Sequence, residues 1–197
     1  MQWSKLKSRV ERFFAASVSG RVEVRTTSYR HAHDGEGRGW ITLDGEEIGN
    51  FCTRKYWVER SRLERGIREA NSATSIRDPA KREAYFAASK AATEILDRRG
   101  ILSQASFEHA LEEYLSMPVG VALESGCLLH RALAVIDCRV GKRRLQKIVP
   151  GAEEHPFVIR LFEFRCAQEK IGSRGTSDPS AKRPASAAAC ATGRGAT

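Results

Sequence analysis

The sequence has no hydrophobic run long enough to cross a membrane. No apolar stretch within its 197 residues approaches the roughly 18 residues that a membrane span requires. The first residues, Met1–Lys5, also lack the apolar core of a secretory signal. We therefore expect a cytoplasmic protein without a membrane partner.

Paired cysteines and familiar catalytic motifs are also missing. The five cysteines are widely spaced, with no C-x-x-C pair, which argues against a disulfide framework, a disulfide-linked partner and a zinc knuckle. The chain has no nucleotide-binding glycine loop, no G-x-S-x-G elbow and no H-E-x-x-H motif. We expect no cofactor, and a non-enzymatic binding protein is favoured over an enzyme.

Large apolar residues are absent after Ile171. Gly, Ser, Ala, Thr and Pro dominate residues 172–197, and such a segment cannot offset its ordering entropy by burial. The sequence therefore predicts one domain over 1–171 and a disordered low-complexity tail. The tail carries +3 of the net charge of +9, which leaves +6 on the domain. A mildly basic domain could meet nucleic acid or an acidic protein.

Within the domain, the residue pattern predicts an α+β fold. Apolar residues at three- and four-residue steps predict a first helix over 2–18, and alternation predicts a strand over 21–26. Asp44-Gly45 is a strong hairpin signal between strands over 40–43 and 46–52. These three strands are expected to form an antiparallel meander.

The two-residue turn also predicts the register of the hairpin. Ile41 should lie opposite Ile48 on one apolar face of the sheet, and Trp40 should lie opposite Gly49 on the other face. Either the helices that follow cover the face that carries Trp40, which we favour because many of them remain to be placed, or Trp40 is an exposed aromatic residue with a role.

From Thr53 onward the pattern predicts only helices. Thr53 is the expected N-cap of a helix that completes a helix–sheet–helix part over 1–71. A mainly helical part follows over 78–170, with helix starts expected at Asp78-Pro79, Ser103 or Ser106, Cys127, and His155-Pro156.

The glycine-rich loop over 31–39 is the first candidate site. His33, Asp34 and Glu36 could bind a divalent metal, or His33 could act as a base held by Asp34. The glycines would let the backbone approach a phosphate. The alternative is a flexible polar hairpin loop without a ligand.

Two groups of basic residues are further candidates. Arg139, Lys142, Arg143 and Arg144 could neutralise phosphates, or could form a solvated face near a helix C-terminus. We expect the positive excess of the domain to be concentrated there, over 139–147. The second group lies on the helix after the sheet, interleaved with glutamates, which is typical of a solvated surface with local ion pairs. Its members are Arg54, Lys55, Arg60, Arg62, Arg65 and Arg68.

The order helix, three-stranded meander, helix over 2–70 resembles the double-stranded-RNA-binding domain. In that family a loop histidine reads the minor groove, and lysines at the start of the next helix grip phosphates. The resemblance implies such roles for His31 or His33, and for Arg54 and Lys55. This chain departs from the family pattern in lacking Gly-Pro before the loop histidine and in having Val58 where another lysine is expected.

A second resemblance covers nearly all of 1–170. The strings over 1–7, from His33-Asp34 through Thr42, and over 139–145 are similar to those of an uncharacterised family of bacterial proteins. This resemblance implies a single-domain cytoplasmic protein from a bacterium, and it supplies no mechanism.

Three functional hypotheses follow from these features. The first is a non-enzymatic module that binds nucleic acid through a basic surface. The second is a scaffold protein whose helical half, over 78–170, docks a protein partner. The third is a metal-dependent enzyme that uses the candidate loop. The residues assigned to the first hypothesis are His33, Arg38, Arg54, Lys55, Arg139, Lys142, Arg143 and Arg144. It becomes the leading hypothesis if Arg38, Arg54, Lys55, Lys142, Arg143 and Arg144 share a face, whereas their dispersal would indicate a plain soluble domain with an unknown partner.

Overall fold

A computed structural model describes residues 2–29 and 36–171. It confirms the α+β fold: an N-terminal helix, a three-stranded antiparallel sheet and a mainly helical remainder. The expected tail over 172–197 and most of the candidate loop lie outside the described residues. The elements are α1 (Trp3–Glu11), β1 (Val22–Ser28), β2 (Gly37–Leu43), β3 (Glu46–Cys52), α2 (Thr53–Ala70), a 3₁₀ turn (Pro79–Lys81), α3 (Arg82–Arg98), α4 (Gln104–Ser116), α5 (Val119–Leu123), α6 (Leu128–Ile136), α7 (Lys142–Leu145) and α8 (Pro156–Gln168).

The first helix is shorter than the predicted 2–18, because α1 ends at Glu11. Beyond it, the chain runs beside the segment that follows α6. The backbone amide of Ala15 donates to the carbonyl of Ile136 at 2.8 Å, and the amide of Cys138 donates to the carbonyl of Phe13 at 2.7 Å. These long-range bonds satisfy backbone groups that a continued helix would have paired internally.

The predicted hairpin register holds only beside the turn. Leu43 lies opposite Glu46, but Ile41 lies opposite Gly49 and not opposite Ile48. The prediction beyond Leu43 is wrong because β3 contains a β-bulge, in which Ile48 is the additional residue.

The bulge has a clear packing consequence. It places Phe51 on the same face of the sheet as Ile41, and both side chains are almost fully buried. The Phe51 ring stacks on Phe107 of α4, with ring centroids 4.9 Å apart, and meets Phe157 of α8 edge-on at 6.1 Å. The unbulged register would turn Phe51 to the opposite face, so burial of this aromatic ring favours the bulge.

The glycines before Trp40 belong to β2 and not to a loop. Gly37 and Gly39 are buried because α4 packs directly against them. A Cβ atom on Gly39 would lie 2.2 Å from Cδ1 of Phe107, and one on Gly37 would lie 1.9 Å from Oε1 of Gln104. Their lack of a side chain thus permits helix–sheet packing, which explains why the strand starts three residues before the predicted position.

The core of the domain lies between the sheet and four helices. Helices α1, α4, α6 and α8 contribute most of its buried apolar side chains. By contrast, α2 and α3 pack mainly against each other, through Tyr56 of α2 and the small residues Ala88 and Ala92 of α3. We call residues 53–99 the α2–α3 hairpin.

Three of the predicted helix starts are confirmed by side-chain caps. Asp78 accepts from the amide of Ala80, Ser103 from that of Ser106, and His155 from that of Phe157. Thr53 does not cap α2 as predicted, since its hydroxyl accepts the backbone amide of Gln104 at 3.1 Å.

In the part of the chain that the structure describes, no helix is both long and apolar enough to span a membrane. The four cysteines of that part are free thiols: Cys52, Cys127, Cys138 and Cys166.

Candidate nucleic-acid interface

A group of exposed basic residues lies on the outward side of α2. Tyr56, Leu63 and Ile67 are spaced seven and four residues apart, so they share the side of α2 that is turned toward α3. The residues on the opposite side are exposed, and four of them are basic. We call these four the α2 basic face: Arg54, Lys55, Arg62 and Arg65.

None of these four cations forms an ion pair within the described residues, although the exposed Glu69 shares this side of α2. Among residues 2–29 and 36–171, no carboxylate forms an ion pair with Arg54, Lys55, Arg62 or Arg65. Val58 lies among them and is 59% exposed. Because exposed cations without partners keep their full charge and their hydrogen-bond donors, this face is free to bind an anionic surface.

The other arginines of α2 have a structural role. Arg60 and Arg68 both form ion pairs with Glu64, at 3.0 and 3.1 Å. Arg60 also donates to the Ser89 hydroxyl of α3, and the guanidinium of Arg68 lies 3.8 Å from the ring centroid of Tyr85. The predicted local ion pairs are therefore present on the side of α2 that contacts α3, and no ion pair between described residues involves the four outward cations.

The charge of the domain follows this division. The α2–α3 hairpin carries 12 Lys and Arg against 7 Asp and Glu, a net +5. Residues 1–52 have 8 against 7, and residues 100–171 have 9 against 9. The expected concentration of positive charge over 139–147 is local: these nine residues contain five Lys and Arg and no Asp or Glu, whereas acidic residues elsewhere bring residues 100–171 to a net charge of zero.

Arg139, a predicted phosphate ligand, is instead held within the fold. Its side chain donates to both carboxylate oxygens of the buried Asp137, with the shortest bond at 2.7 Å, and to the carbonyl of Met117 at 3.2 Å. Its guanidinium also lies 4.1 Å from the ring centroid of Phe13. The hydrogen bond with Asp137 raises the pKa of Arg139 above its already high ordinary value, so Arg139 stays charged beside the carboxylate.

The neighbours of Arg139 remain on the surface. Lys142, Arg143 and Arg144 are all exposed at α7. The ammonium of Lys142 donates to the carbonyl of Glu169 at 3.4 Å, and the guanidinium of Arg144 lies beside Gly120. These residues form a small basic group near the C-terminus of α8.

The two predicted basic groups lie on different parts of the surface. The amide of Gln104, at the start of α4, bonds to Thr53, which immediately precedes Arg54. Tyr114, near the end of α4, lies 5.4 Å from the guanidinium of Arg139. Ten residues of helix separate these points by about 15 Å. The α2 basic face and the group at α7 are therefore two separate surfaces.

The described residues include only part of the candidate loop. His31, His33 and Asp34 lie outside the described residues, whereas Glu36 directly precedes β2. No group of three or more His, Cys, Asp or Glu side chains able to hold a metal occurs in the part that the structure describes. Arg38 is paired with Glu47 at 3.2 Å.

The guanidinium of Arg38 also covers the ring of Trp40, at 4.5 Å from its centroid. Trp40 lies opposite Asn50, not opposite Gly49 as predicted, and it is half-buried. Arg38 is therefore engaged in local contacts on the outer face of the sheet.

Together these features define the protein as an α+β domain in which one helical hairpin carries the basic surface. The chain belongs to the SF0329 protein family, whose model matches residues 2–166. The expected membership of an uncharacterised family is confirmed, and the match ends before residues 172–197. No curated protein and no solved structure matches the chain.

Proposed function

We propose that the protein binds nucleic acid through the α2 basic face, by contacts to phosphates. The observation that carries the proposal is the set of four exposed cations without ion-pair partners on one side of α2. Phosphate contacts provide most of the affinity of proteins that bind nucleic acid without reading its sequence.

The dimensions of the face suit this role. Arg54 and Arg65 are eleven residues apart, which is about 17 Å along the helix axis. A duplex carries one phosphate charge for roughly each 1.7 Å of its axis, so several phosphates lie within reach of the face. The helix after a three-stranded meander is also the phosphate-binding helix of the family that residues 2–70 resemble.

The proposal can be tested by fluorescence anisotropy with labelled duplex RNA, duplex DNA and single-stranded RNA. The key variant is Arg62→Gln/Arg65→Gln, since both side chains are exposed and make no ion pair in the described structure. We expect it to weaken binding about tenfold or more at ~50 mM salt and to reduce the slope of log K against log salt by about two, one for each lost phosphate contact.

The matched control is Arg143→Gln/Arg144→Gln, which removes the same charge from the separate group at α7. It should change the affinity and the salt slope much less. Binding of none of the three nucleic acids at low salt would disprove the proposal. Equal losses in both double variants would show that overall charge, and not the α2 basic face, drives the association.

A further inference from the structure

A cavity of about 240 Å³ lies beside the edge strand β3, at the start of α8 and the link between α3 and α4. Its lining combines apolar side chains, strand backbone and four nitrogen-bearing side chains, those of Asn50, Lys55, Arg99 and His155, with no acidic residue. The residues that carry the argument are Phe51, Lys55, Arg99, Leu128, His155 and Phe157.

The polar side of the cavity is cationic. Lys55 and Arg99 both line it, and neither forms an ion pair with a carboxylate in the described part of the chain. Arg99 follows the last residue of α3 directly, and Lys55 is in the first turn of α2. Two unpaired cations at one opening attract an anionic group and disfavour a neutral or cationic ligand.

His155 adds a directed hydrogen-bond donor. Its Nδ1 accepts the backbone amide of Phe157 at 3.2 Å, so the proton of the ring is on Nε2. Nε2 lies only 2.9 Å from the point where a Cβ atom on Gly100 would be, and Gly100 has a positive φ of 67°. No acceptor for Nε2 occurs among residues 2–29 and 36–171, which leaves this donor available at the cavity.

The remaining lining provides an apolar floor. Phe51, Leu128 and Phe157 form it together with the backbone of β3. Because β3 is at the edge of the sheet, alternate residues direct their backbone groups away from β2. Cavities of roughly 150 Å³ already accept benzene, so this one has room for a single ring with a charged substituent.

We infer that this cavity binds a small organic anion, with its carboxylate or phosphate at Arg99, Lys55 and His155 and its apolar body on Phe51, Leu128 and Phe157. This site is independent of the proposed nucleic-acid binding, although Lys55 belongs to both surfaces. Variants of Lys55 are therefore unsuitable as tests, whereas Arg99 and His155 lie outside the α2 basic face.

The test is an NMR titration of the ¹⁵N-labelled full chain with benzoate, phenyl phosphate and inorganic phosphate. We expect saturable shifts of the amides over 48–52 and 99–102 with benzoate, phenyl phosphate or both. The tighter of these two probes identifies the anion. Inorganic phosphate should bind more weakly because it cannot use the apolar floor, and equal binding would refute that part of the assignment.

Neighbouring arginines offer a matched pair of variants. Arg99→Gln should weaken probe binding about tenfold, because it removes one charge-assisted hydrogen bond. Arg98→Gln should have little effect, because Arg98 is exposed and lies outside the cavity. His155→Asn keeps a capping side chain for α8 but loses the donor at Nε2, so it should weaken binding without lowering the melting temperature. Shifts that map elsewhere, no saturation up to ~10 mM probe, or equal losses in the Arg98 and Arg99 variants would overturn the inference.

Discussion

Tyr114 donates its phenolic hydrogen to a carboxylate oxygen of Asp137, although neither side chain is exposed to solvent. A buried carboxylate needs a compensating charge, which Arg139 provides by binding both of its oxygens. Arg139 is itself 30% exposed, so water reaches one side of the pair. The cluster connects the end of α4 to the segment after α6, and it gives Arg139 a structural role.

The first prediction concerns the pH dependence of stability. Burial, and then the hydrogen bond to Asp137, raises the pKa of Tyr114 well above its ordinary value of 10.0. The unfolded chain loses this proton near pH 10, whereas the folded chain retains it. The stabilisation from Tyr114 is therefore complete below about pH 10 and is lost as the pH rises further.

Urea denaturation between about pH 8 and about pH 11 can measure this effect. Tyr114→Phe should flatten the fall in unfolding free energy above pH ~10, at a cost of about 1 to 2 kcal/mol at neutral pH for the lost hydrogen bond. Tyr85→Phe, in the α2–α3 hairpin, serves as the control and should leave the slope unchanged. A slope that is equally steep in Tyr114→Phe would contradict the prediction.

The second prediction concerns Asp137 itself. Asp137→Ala leaves the Tyr114 hydroxyl buried without an acceptor and removes the carboxylate that orients Arg139, so we expect a loss of about 3 kcal/mol in unfolding free energy. Glu46→Ala is a suitable comparison, since Glu46 is exposed and its ion pair with Arg160 lies in solvent. That variant should lose far less stability. Similar losses in the two variants would mean that burial of the carboxylate is unimportant.

Much of the fold could be predicted from local signals. The bounds of β3, 46–52, match the prediction because Asp44 and Gly45 both adopt the positive φ values that a two-residue turn requires, 53° and 84°. The starts at Asp78, Ser103 and His155 could be found because each cap acts within three residues. Such features depend on residues that are close together in the sequence, so the residue pattern predicts them.

The errors come from contacts between distant residues. The bulge at Ile48 depends on the burial of Phe51 against α4 and α8, and the early end of α1 depends on backbone bonds to the segment after α6. Residue spacing does not reveal either contact. The α2 basic face, by contrast, could have been predicted from the sequence. Counting charges segment by segment reveals the net charge of the hairpin, and a helical wheel of α2 separates Arg62 and Arg65 from Glu64.

The third prediction compares two glycines. A methyl group on Gly39 would collide with the Phe107 ring, so Gly39→Ala should lower the unfolding free energy by about 3 kcal/mol. Gly66 is exposed within α2, and nothing lies within 4 Å of the position of its Cβ. Gly66→Ala should therefore raise the stability by about 0.5 to 1 kcal/mol through better helix propensity. Chemical denaturation measures both. A tolerated Gly39→Ala would show that Phe107 can move away from β2 without loss of packing.

The fourth prediction concerns a buried hydroxyl group. Thr42 is 5% exposed, and its Oγ1 has no hydrogen-bond partner among the described residues. Thr42→Val keeps the shape of the side chain and removes the unpaired polar atom, so it should raise the unfolding free energy by about 1 kcal/mol.

The same substitution at Thr26 should have the opposite effect. The Thr26 hydroxyl accepts from the Gln104 amide at 2.7 Å and donates to the carbonyl of Arg38 at 3.1 Å, so Thr26→Val breaks bonds that join β1 to β2 and α4. We expect a loss of about 1 to 2 kcal/mol in that variant. If Thr42→Val instead destabilises the protein as much as Thr26→Val does, the prediction is wrong and the Thr42 hydroxyl has a hydrogen-bond partner in solution. An ordered water molecule bound at the outer face of β2 would be such a partner.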